Sequence, residues 1–274
     1  MSDRPLTLMA VHAHPDDEAS STGGVLARYA AEGVTTIVVT CTDGRCGDGP
    51  DGVKPGEPGH DPEAVVAVRR RELESSCATL KVSHLETLGY QDSGMMGWDT
   101  NDAPGSFWSA PVPEAAARLA ALIERHRPDV VVTYDENGGY GHPDHIQVHR
   151  VTMAAVDLAG SVAKVYWSVI PRSAMEDIGA RMRAAGIGPS AEEMAEMPPM
   201  GMPDDQITTW VGVRDVVDQK FDALAAHGSQ SDGAFFLGFG REAFAEMMGT
   251  ECFLRVRDTT GAPLPERDLF AGLR

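Results

Sequence analysis

The chain has 274 residues, and its 23 basic and 41 acidic side chains give a formal charge of −18. This charge argues against a partner that presents nucleic-acid phosphates or an anionic membrane surface. No run reaches the roughly 20 apolar residues of a membrane span, the N-terminus shows no apolar signal region, and the four cysteines form no Cys-x-x-Cys pair, so we expect a cytoplasmic protein in a reducing compartment.

The first predicted elements form a β-α-β unit. Residues 6–12 are an apolar run, residues 19–32 have a helical pattern that ends before Gly33, and residues 35–41 are rich in β-branched side chains. Two strands that are joined through a helix lie parallel in one sheet. The turn after the first strand carries carboxylates instead of the Gly-x-Gly-x-x-Gly sequence of dinucleotide sites, so a bound dinucleotide is disfavoured.

The same alternation continues to the end of the chain, with long loops predicted over 43–62 and 89–113. Further helices are predicted over 63–80, 114–126, 144–159 and 213–226. Further strands are predicted over 83–88, 130–134, 162–170, 207–211 and 251–256. The pattern predicts a Rossmann-like α/β fold in a single domain over 1–274, with a mostly parallel sheet, helices on both faces and the site at the carboxyl ends of the strands.

Residues 171–205 differ in composition from the rest of the chain. They contain six of the 13 methionines and the proline-rich string 197–203. Methionine side chains adapt to different neighbours, which favours a mobile flap over the site. A plain surface excursion is the alternative interpretation.

Two short motifs carry the candidate chemistry. His-Pro-Asp-Asp at 14–17 follows the first predicted strand, and His-Pro-Asp-His at 142–145 follows the strand at 130–134. Open α/β sheets place their sites at strand ends, so the two motifs can converge on one metal ion. A hydrolytic zinc site needs three protein ligands, a base for the water and a donor for the developing oxyanion, and the motifs together supply such groups. Either motif alone is also typical of a polar loop.

The sequence Ala-His-Pro-Asp-Asp-Glu at 13–18, together with Gly-His-Pro-Asp-His at 141–145, resembles the LmbE-like zinc N-deacetylases, also called the PIG-L family. The resemblance extends from Leu6 to about Leu254. It implies one zinc ion per chain and hydrolysis of an N-acetyl group on an amino sugar, such as N-acetylglucosamine attached to inositol. The family also includes the mycothiol-conjugate amidases.

The resemblance assigns roles to residues of both motifs. It makes Asp16 the general base and His142 a catalytic histidine that Asp144 orients and keeps charged. Tyr140 matches a tyrosine that helps to polarise the substrate carbonyl. The implied zinc ligands are His14, Asp17 and His145.

Three further strings match the inositol-directed or mycothiol enzymes. Arg-x-x-Glu-Leu at 69–73 makes Arg69 a candidate contact to the sugar or the inositol, although a solvated helix face is the alternative. Asp-Ser-Gly-Met at 92–95 makes Asp92 a candidate acceptor of substrate hydroxyls. Residues 220–230 are similar to the family's Lys-x-x-Ala-Leu-x-Ala-His-x-x-Gln string.

The sequence therefore predicts a zinc-dependent hydrolase that removes an N-acetyl or other N-acyl group from an N-acetylglucosamine-type substrate, with GlcNAc-inositol as a candidate. A mycothiol S-conjugate amidase is the alternative, because it uses the same site on a larger amide. A zinc-dependent binding or sensing protein is a third hypothesis, which Asp16 and His142 disfavour because a purely structural site would not need them. The expected partner is a small amino sugar, and a homo-oligomer is compatible with the sequence.

Overall fold

The computed structural model describes residues 4–49, 52–184, 186 and 200–274. Within these residues, seven strands form one sheet. The strands are β1 Thr7–His12, β2 Thr35–Thr42, β3 His84–Tyr90, β4 Val130–Tyr134, β5 Lys164–Val169, β6 Thr209–Gly212 and β7 Thr250–Asp258. Their order across the sheet is β3-β2-β1-β4-β5-β7-β6, with β7 antiparallel to both of its neighbours and the other pairs parallel.

Helices cover both faces of this sheet, as the alternating pattern predicts. They are α1 Asp17–Ala31, α2 Pro62–Thr79, α3 Val112–His126, α4 Pro143–Ala159, α5 Arg172–Ala184, α6 Val217–Ala225, α7 Ser231–Gly238 and α8 Gly240–Met248. Asp61 begins α2 by accepting the N–H groups of Glu63 and Ala64, and Pro62 occupies the first turn, where proline is tolerated. None of the helices in the described residues has the length and apolarity that crossing a membrane requires.

The core lies in two layers, one on each side of the sheet. One layer packs α1, α6 and α8 onto it through side chains such as Leu26 and Phe244, and the other packs α3 and α4 through Leu119 and Val151. Every residue of β1 and β4 is buried. Strands that are covered on both faces read as continuous apolar runs, which is why the sequence predicts these two so closely. The predicted α/β fold is confirmed.

The direction in which the chain adds strands to the sheet reverses between β1 and β4. β1 and β4 are adjacent and parallel, with Met9 opposite Val131. The chain runs outward from β1 through β2 to β3, and then returns to form β4 and β5 on the other side of β1. Such a reversal opens a crevice at the carboxyl ends of the central strands, where α/β proteins bind ligands.

The structure corrects the prediction in two segments. The pattern predicts no element between residues 226 and 251, but α7 and α8 lie there, and the glycines at 233, 238 and 240 weaken their helical signal. The flap or surface excursion predicted over 171–205 begins with α5, in which Gly179 is the buried residue, so no apolar stripe marks the helix. Residues 185 and 187–199 of that stretch lie outside the described residues.

Candidate active site

The two His-Pro-Asp motifs meet at the carboxyl ends of β1 and β4. The Nδ1 atom of His14 lies 3.3 Å from the Nε2 atom of His145. Pro143 occupies the first turn of α4, and His142 caps this helix because its Nδ1 accepts the N–H of Asp144 at 3.1 Å. The helix start thus turns His142 and His145 toward the loop that follows β1.

Three donor atoms form a compact triangle at this point. Asp17 Oδ2 lies 3.5 Å from both His14 Nδ1 and His145 Nε2, and these two nitrogens are 3.3 Å apart. A tetrahedral zinc ion with bonds of about 2.0–2.2 Å holds its ligand atoms about 3.3–3.6 Å apart. The spacing therefore fits the three predicted ligands, although their role in binding a metal stays a prediction.

Each of these imidazoles has a second partner that orients its ring. His14 Nε2 lies 3.2 Å from Asp144 Oδ2, and His145 Nδ1 lies 3.2 Å from the carbonyl oxygen of Gly138. In the neutral rings that metal ligation requires, these acceptors would hold the protons on the outer nitrogens and leave lone pairs on the two nitrogens that face Asp17. Gly138 has φ 63°, and a Cβ there would come within 2.5 Å of His145, so this position requires glycine.

The expected pairing of Asp144 with His142 is wrong. The Asp144 carboxylate accepts both the N–H and the hydroxyl of Ser93, and its histidine partner is His14. Burial lowers the pKa of His142 to about 3, with a further contribution from the nearby imidazoles of His14 and His145. The direction of this shift favours the neutral ring over the charged ring that the resemblance implies, and the catalytic role of His142 stays a prediction. Because its Nδ1 accepts a backbone N–H, the ring proton lies on Nε2, which is a donor.

Asp16 lies beside this cluster with Arg69 as its partner. Arg69 Nη2 lies 2.8 Å from Asp16 Oδ2, and the same guanidinium donates to the carbonyl oxygens of Pro15 and Gly44. Arg69 is only 4% exposed, so the alternative of a solvated helix face is wrong. Burial raises the pKa of Asp16 to about 6, even though the Arg69 charge opposes the shift. A carboxylate with this pKa is suited to act as a general base near neutral pH.

Asp92 is buried near Nε2 of His14, on the side of the ring that faces away from Asp17. Its carboxylate accepts the N–H groups of Cys46 at 3.1 Å and Gly94 at 2.8 Å, and Oδ1 lies 3.5 Å from His14 Nε2. Burial alone would raise the pKa of Asp92, but His14 and the Gly94 N–H hold it well below its usual range. The carboxylate is therefore ionised, and its role toward substrate hydroxyls stays a prediction.

An open cleft of about 1270 Å³ surrounds these groups. Typical small-molecule sites have volumes of roughly 300–1,000 Å³, so the cleft has room for more than a simple acetamide. Tyr140 is 58% exposed and lines the cleft, with its ring centroid 5.0 Å from that of His145. The described parts of the predicted flap, including Met175 and Met202, also line the cleft, while movement of the flap stays a prediction.

Sequence reasoning missed Tyr134 and three residues outside the two motifs. The Tyr134 ring stacks on His145 with centroids 4.3 Å apart, and its hydroxyl accepts the N–H of Ala13 at 3.0 Å. As the last residue of β4, Tyr134 lies at the edge of the sheet where the motifs meet, which is a signal that could have identified it. Ser93 and His227 lie in the strings at 92–95 and 220–230 that resemble the family, but those strings do not indicate what the two side chains contact. Ser76 carries no such signal.

A model of the PIG-L family, described as GlcNAc-PI de-N-acetylase, matches residues 9–156, which is more than half of the chain. The chain belongs to the PIG-L family. This confirms the resemblance that the two motifs indicated, and with it the prediction of a hydrolytic N-deacetylase.

Comparisons over the whole chain agree with this membership. A 1D-myo-inositol 2-acetamido-2-deoxy-α-D-glucopyranoside deacetylase from Acidothermus cellulolyticus is 43% identical, and the alignment covers 97% of this chain and 95% of that protein. The structure of the N,N'-diacetylchitobiose deacetylase from Pyrococcus horikoshii has a TM-score of 0.58 at 19% identity and covers 92% of this chain and 84% of that one. The 4-carboxy-2-hydroxymuconate hydratase GalB from Pseudomonas putida has a TM-score of 0.61 at 18% identity, with coverage of 94% and 99%. A hydratase with the same fold means that the fold alone does not select the reaction.

Proposed function

We propose that this PIG-L protein is a zinc-dependent deacetylase of GlcNAc-inositol. The reaction hydrolyses the acetamide of the glucosamine ring and releases acetate and a primary amine. The observation that carries the proposal is the triangle of donor atoms from His14, Asp17 and His145, with Asp16 placed beside it. The named substrate of the 43% identical relative supports the choice of amino sugar.

The triangle is the proposed zinc site, although other donors lie nearby. Wider groups of buried donors lie within 4.8 Å of one another, namely His14 with His142 and His145, and His14 with Asp92, His142 and Asp144. His142 is not assigned as a ligand because its Nδ1 accepts an N–H and its Nε2 carries the proton. When bound, zinc supplies a Lewis acid that polarises the amide carbonyl and lowers the pKa of a water molecule.

Asp16 is the proposed base. Its raised pKa of about 6 lets it take a proton from the attacking water near neutral pH and return that proton to the leaving amine. Arg69 supports this role because it fixes one carboxylate oxygen at 2.8 Å, while the Asp16 side chain is 27% exposed and lines the cleft. One group thus serves as base and then as acid.

His142 and Tyr140 are the proposed donors to the substrate carbonyl. The proton on His142 Nε2 allows a neutral imidazole to stabilise the charge that develops on the carbonyl oxygen. Tyr140 lies on the same side of the cleft, with its ring centroid 6.1 Å from that of His142. Arg69 and Asp92 are the proposed contacts to substrate hydroxyls, since both line the cleft.

One observation favours mycothiol S-conjugate amidase as a second candidate. Large exposed apolar side chains line the mouth of the cleft, including Met95 at 44%, Trp98 at 39% and Ile170 at 54% exposure. An amide with a bulky apolar substituent would bury this surface, whereas acetate would not.

The test is release of primary amine from GlcNAc-inositol by the zinc-loaded protein, compared with an S-conjugate of mycothiol. We expect rapid amine release from GlcNAc-inositol, with an equal amount of acetate. His145→Ala and Asp17→Ala should contain far less than one zinc per chain, because each removes a ligand. His126→Ala, which lies outside the cleft, should keep its zinc. Cleavage of the S-conjugate alone would favour the second candidate, and full zinc content in His145→Ala would refute the ligand assignment.

A further inference from the structure

The backbone of Asp16 has an unusual conformation. Its φ is 122° and its ψ is −27°. Lys81 and Arg127 also have positive φ, but their values of 58° and 48° lie in the ordinary left-handed region. The value at Asp16 lies outside that region, in a part of conformational space that side chains with a Cβ rarely adopt. Such strain persists only where the surroundings hold it in place, and it concentrates at functional sites.

A buried carboxylate holds this conformation from within the same motif. The N–H of Asp16 donates to Glu18 Oε2 at 3.0 Å, while the carbonyl of Asp16 accepts the N–H groups of Ala19 and Ser20 at 3.1 Å each. The side chain of Asp16 is separately fixed by Arg69. The peptide on the N-terminal side of Asp16 is held at both ends, because Glu18 accepts its N–H and Arg69 donates to its carbonyl oxygen, that of Pro15.

Glu18 is itself fixed by groups from two other helices. Its Oε1 accepts the hydroxyl of Ser76 in α2, and it lies 2.7 Å from Nε2 of His227, which follows α6. Glu18 is fully buried and His227 is 2% exposed, so water does not substitute for either donor. The three hydrogen bonds form a closed set: His227 and Ser76 hold one oxygen of Glu18, and the other oxygen holds Asp16.

The segment that carries His227 also holds α1, the helix that begins with this motif. Lys220 Nζ lies 2.6 Å from Glu251 Oε1, and the same carboxylate accepts the N–H groups of Gly24 and Val25 in α1. Lys220 and His227 thus fix α1 at two points, one in its middle and one at its first turn. The string at 220–230 therefore packs against the part of the chain that carries the proposed base.

We propose that His227 is a positioning residue for the deacetylation: by holding Glu18, it keeps the Asp16 backbone in the strained conformation that presents the carboxylate to the cleft. The proposal rests on Asp16 being the base, as in the proposed function. His227 also lines the cleft, so the φ angle of Asp16 in the variants is the readout that separates positioning from direct contact with substrate.

The test compares His227→Ala with His227→Gln in the zinc-loaded protein. Alanine removes the donor, whereas the amide of glutamine can still donate to Glu18. We expect His227→Ala to lower kcat up to about 10²-fold, the scale of a 1 Å displacement of a catalytic group, with KM and zinc content little changed. His227→Gln should recover most of kcat. The matched control is His126→Ala, which removes a histidine 2.8 Å from Glu86, outside the cleft, and should leave kcat unchanged.

Further measurements separate this proposal from a loss of folding and from failure of the proposed function. If His227→Ala does not fold, Glu18→Gln tests the same contact, because its amide places a donor against either Asp16 or His227. If the parent shows no activity on GlcNAc-inositol, the proposed function fails, but a crystal structure of His227→Ala still tests the inference through the φ angle of Asp16. Unchanged kcat in His227→Ala, an equal loss in both variants, or an Asp16 φ that stays near 122° would overturn the proposal.

Discussion

Asp16 and Asp17 are neighbours in the chain but have opposite electrostatic surroundings. Burial, opposed by Arg69, raises the pKa of Asp16 to about 6. Burial would also raise the pKa of Asp17, but His145 and His14 hold it well below its usual range. A pair of carboxyl groups whose pKa values are driven apart is typical of a division of roles. Asp16 is suited to exchange a proton, and Asp17 to remain charged.

Replacement of each aspartate by asparagine tests this division. Asp16→Asn should keep its zinc while turnover falls about 10²- to 10⁴-fold, because an amide cannot accept the proton. Asp17→Asn should lose zinc as well as activity, because a charged ligand is removed. Metal analysis and amine release on the same samples check both expectations. Zinc loss in Asp16→Asn with retention in Asp17→Asn would mean that the two roles are exchanged.

Ser93 contacts the proposed zinc site indirectly, through Asp144 and His14. Its hydroxyl and N–H hold the Asp144 carboxylate, which faces His14 Nε2. Loss of such an outer partner typically costs 10- to 100-fold in metal affinity, so we expect a weakening of about that size in Ser93→Ala. Competition with a chelator measures it. Ser109→Ala, which removes a hydroxyl from the same loop away from the cleft, should leave zinc affinity unchanged.

Residues that follow a strand could be predicted from the sequence, whereas their partners could not. His14 follows β1 and His145 follows β4, and these two buried strands are neighbours in the sheet. Because the strands are parallel, their carboxyl ends lie together, and the two histidines converge there. The partner of Asp144 depends on a loop that brings Ser93 across 51 positions of sequence. Neither composition nor spacing contains that information, because it depends on how the loop after β3 packs.

At the scale of elements, the loop after β2 is tied to the start of α7. Asp48 N–H donates to Gln230 Oε1 at 3.1 Å, and the Gln230 amide donates back to the Asp48 carbonyl at 3.2 Å. The Asp48 carboxylate also accepts the N–H and hydroxyl of Ser231. Both segments line the cleft, so these contacts set the position of one of its walls.

Gln230→Ala should therefore affect substrate binding more than chemistry. A neutral hydrogen bond contributes about 1 kcal/mol, which corresponds to about a fivefold rise in KM if it positions the wall. Zinc content and kcat should change little. Gln219→Ala is the matched control, because that amide bonds to the carbonyl of Thr79 away from the cleft. An equal rise in KM for both variants would show that the loop contact has no specific effect on binding.

How accurately an element could be predicted from the sequence depends on how many of its residues are buried. β1 and β4 are buried throughout and could be placed almost to the residue. α5 has a single buried residue, and α7 contains glycines, so their helical form depends on contacts that the local pattern does not carry. The missed helices lie along the cleft, where loop packing rather than periodicity decides the structure.

At the scale of the whole molecule, the C-terminal segment is tied to α1 through Asp268. The Asp268 carboxylate accepts the Tyr29 hydroxyl at 2.8 Å, the N–H of Phe270 at 3.0 Å and Nε of Arg274 at 2.8 Å. Burial alone would raise the pKa of Asp268, but Arg274 and the other donors lower it below its ordinary value. The ionised form is therefore stabilised by folding.

The sign of this shift predicts how stability changes in acid. A carboxyl group with a lowered folded pKa contributes fully above its unfolded value of about 3.9, and the contribution is lost as the pH falls through the folded pKa. Asp268→Asn should lower the free energy of unfolding by about 1 kcal/mol at pH 7, a modest value because Arg274 is partly exposed.

The difference in urea midpoint between parent and Asp268→Asn should therefore narrow as the pH falls from 7 to about 3, because protonation removes the same contribution from the parent. Acid loss of any bound metal affects both proteins alike and cancels in this difference. Asp205→Asn, at an exposed position, should follow the parent at every pH. A gap that stays constant down to pH 3 would mean that Asp268 acts through its shape and neutral hydrogen bonds, and that its charge contributes nothing to holding the C-terminal segment.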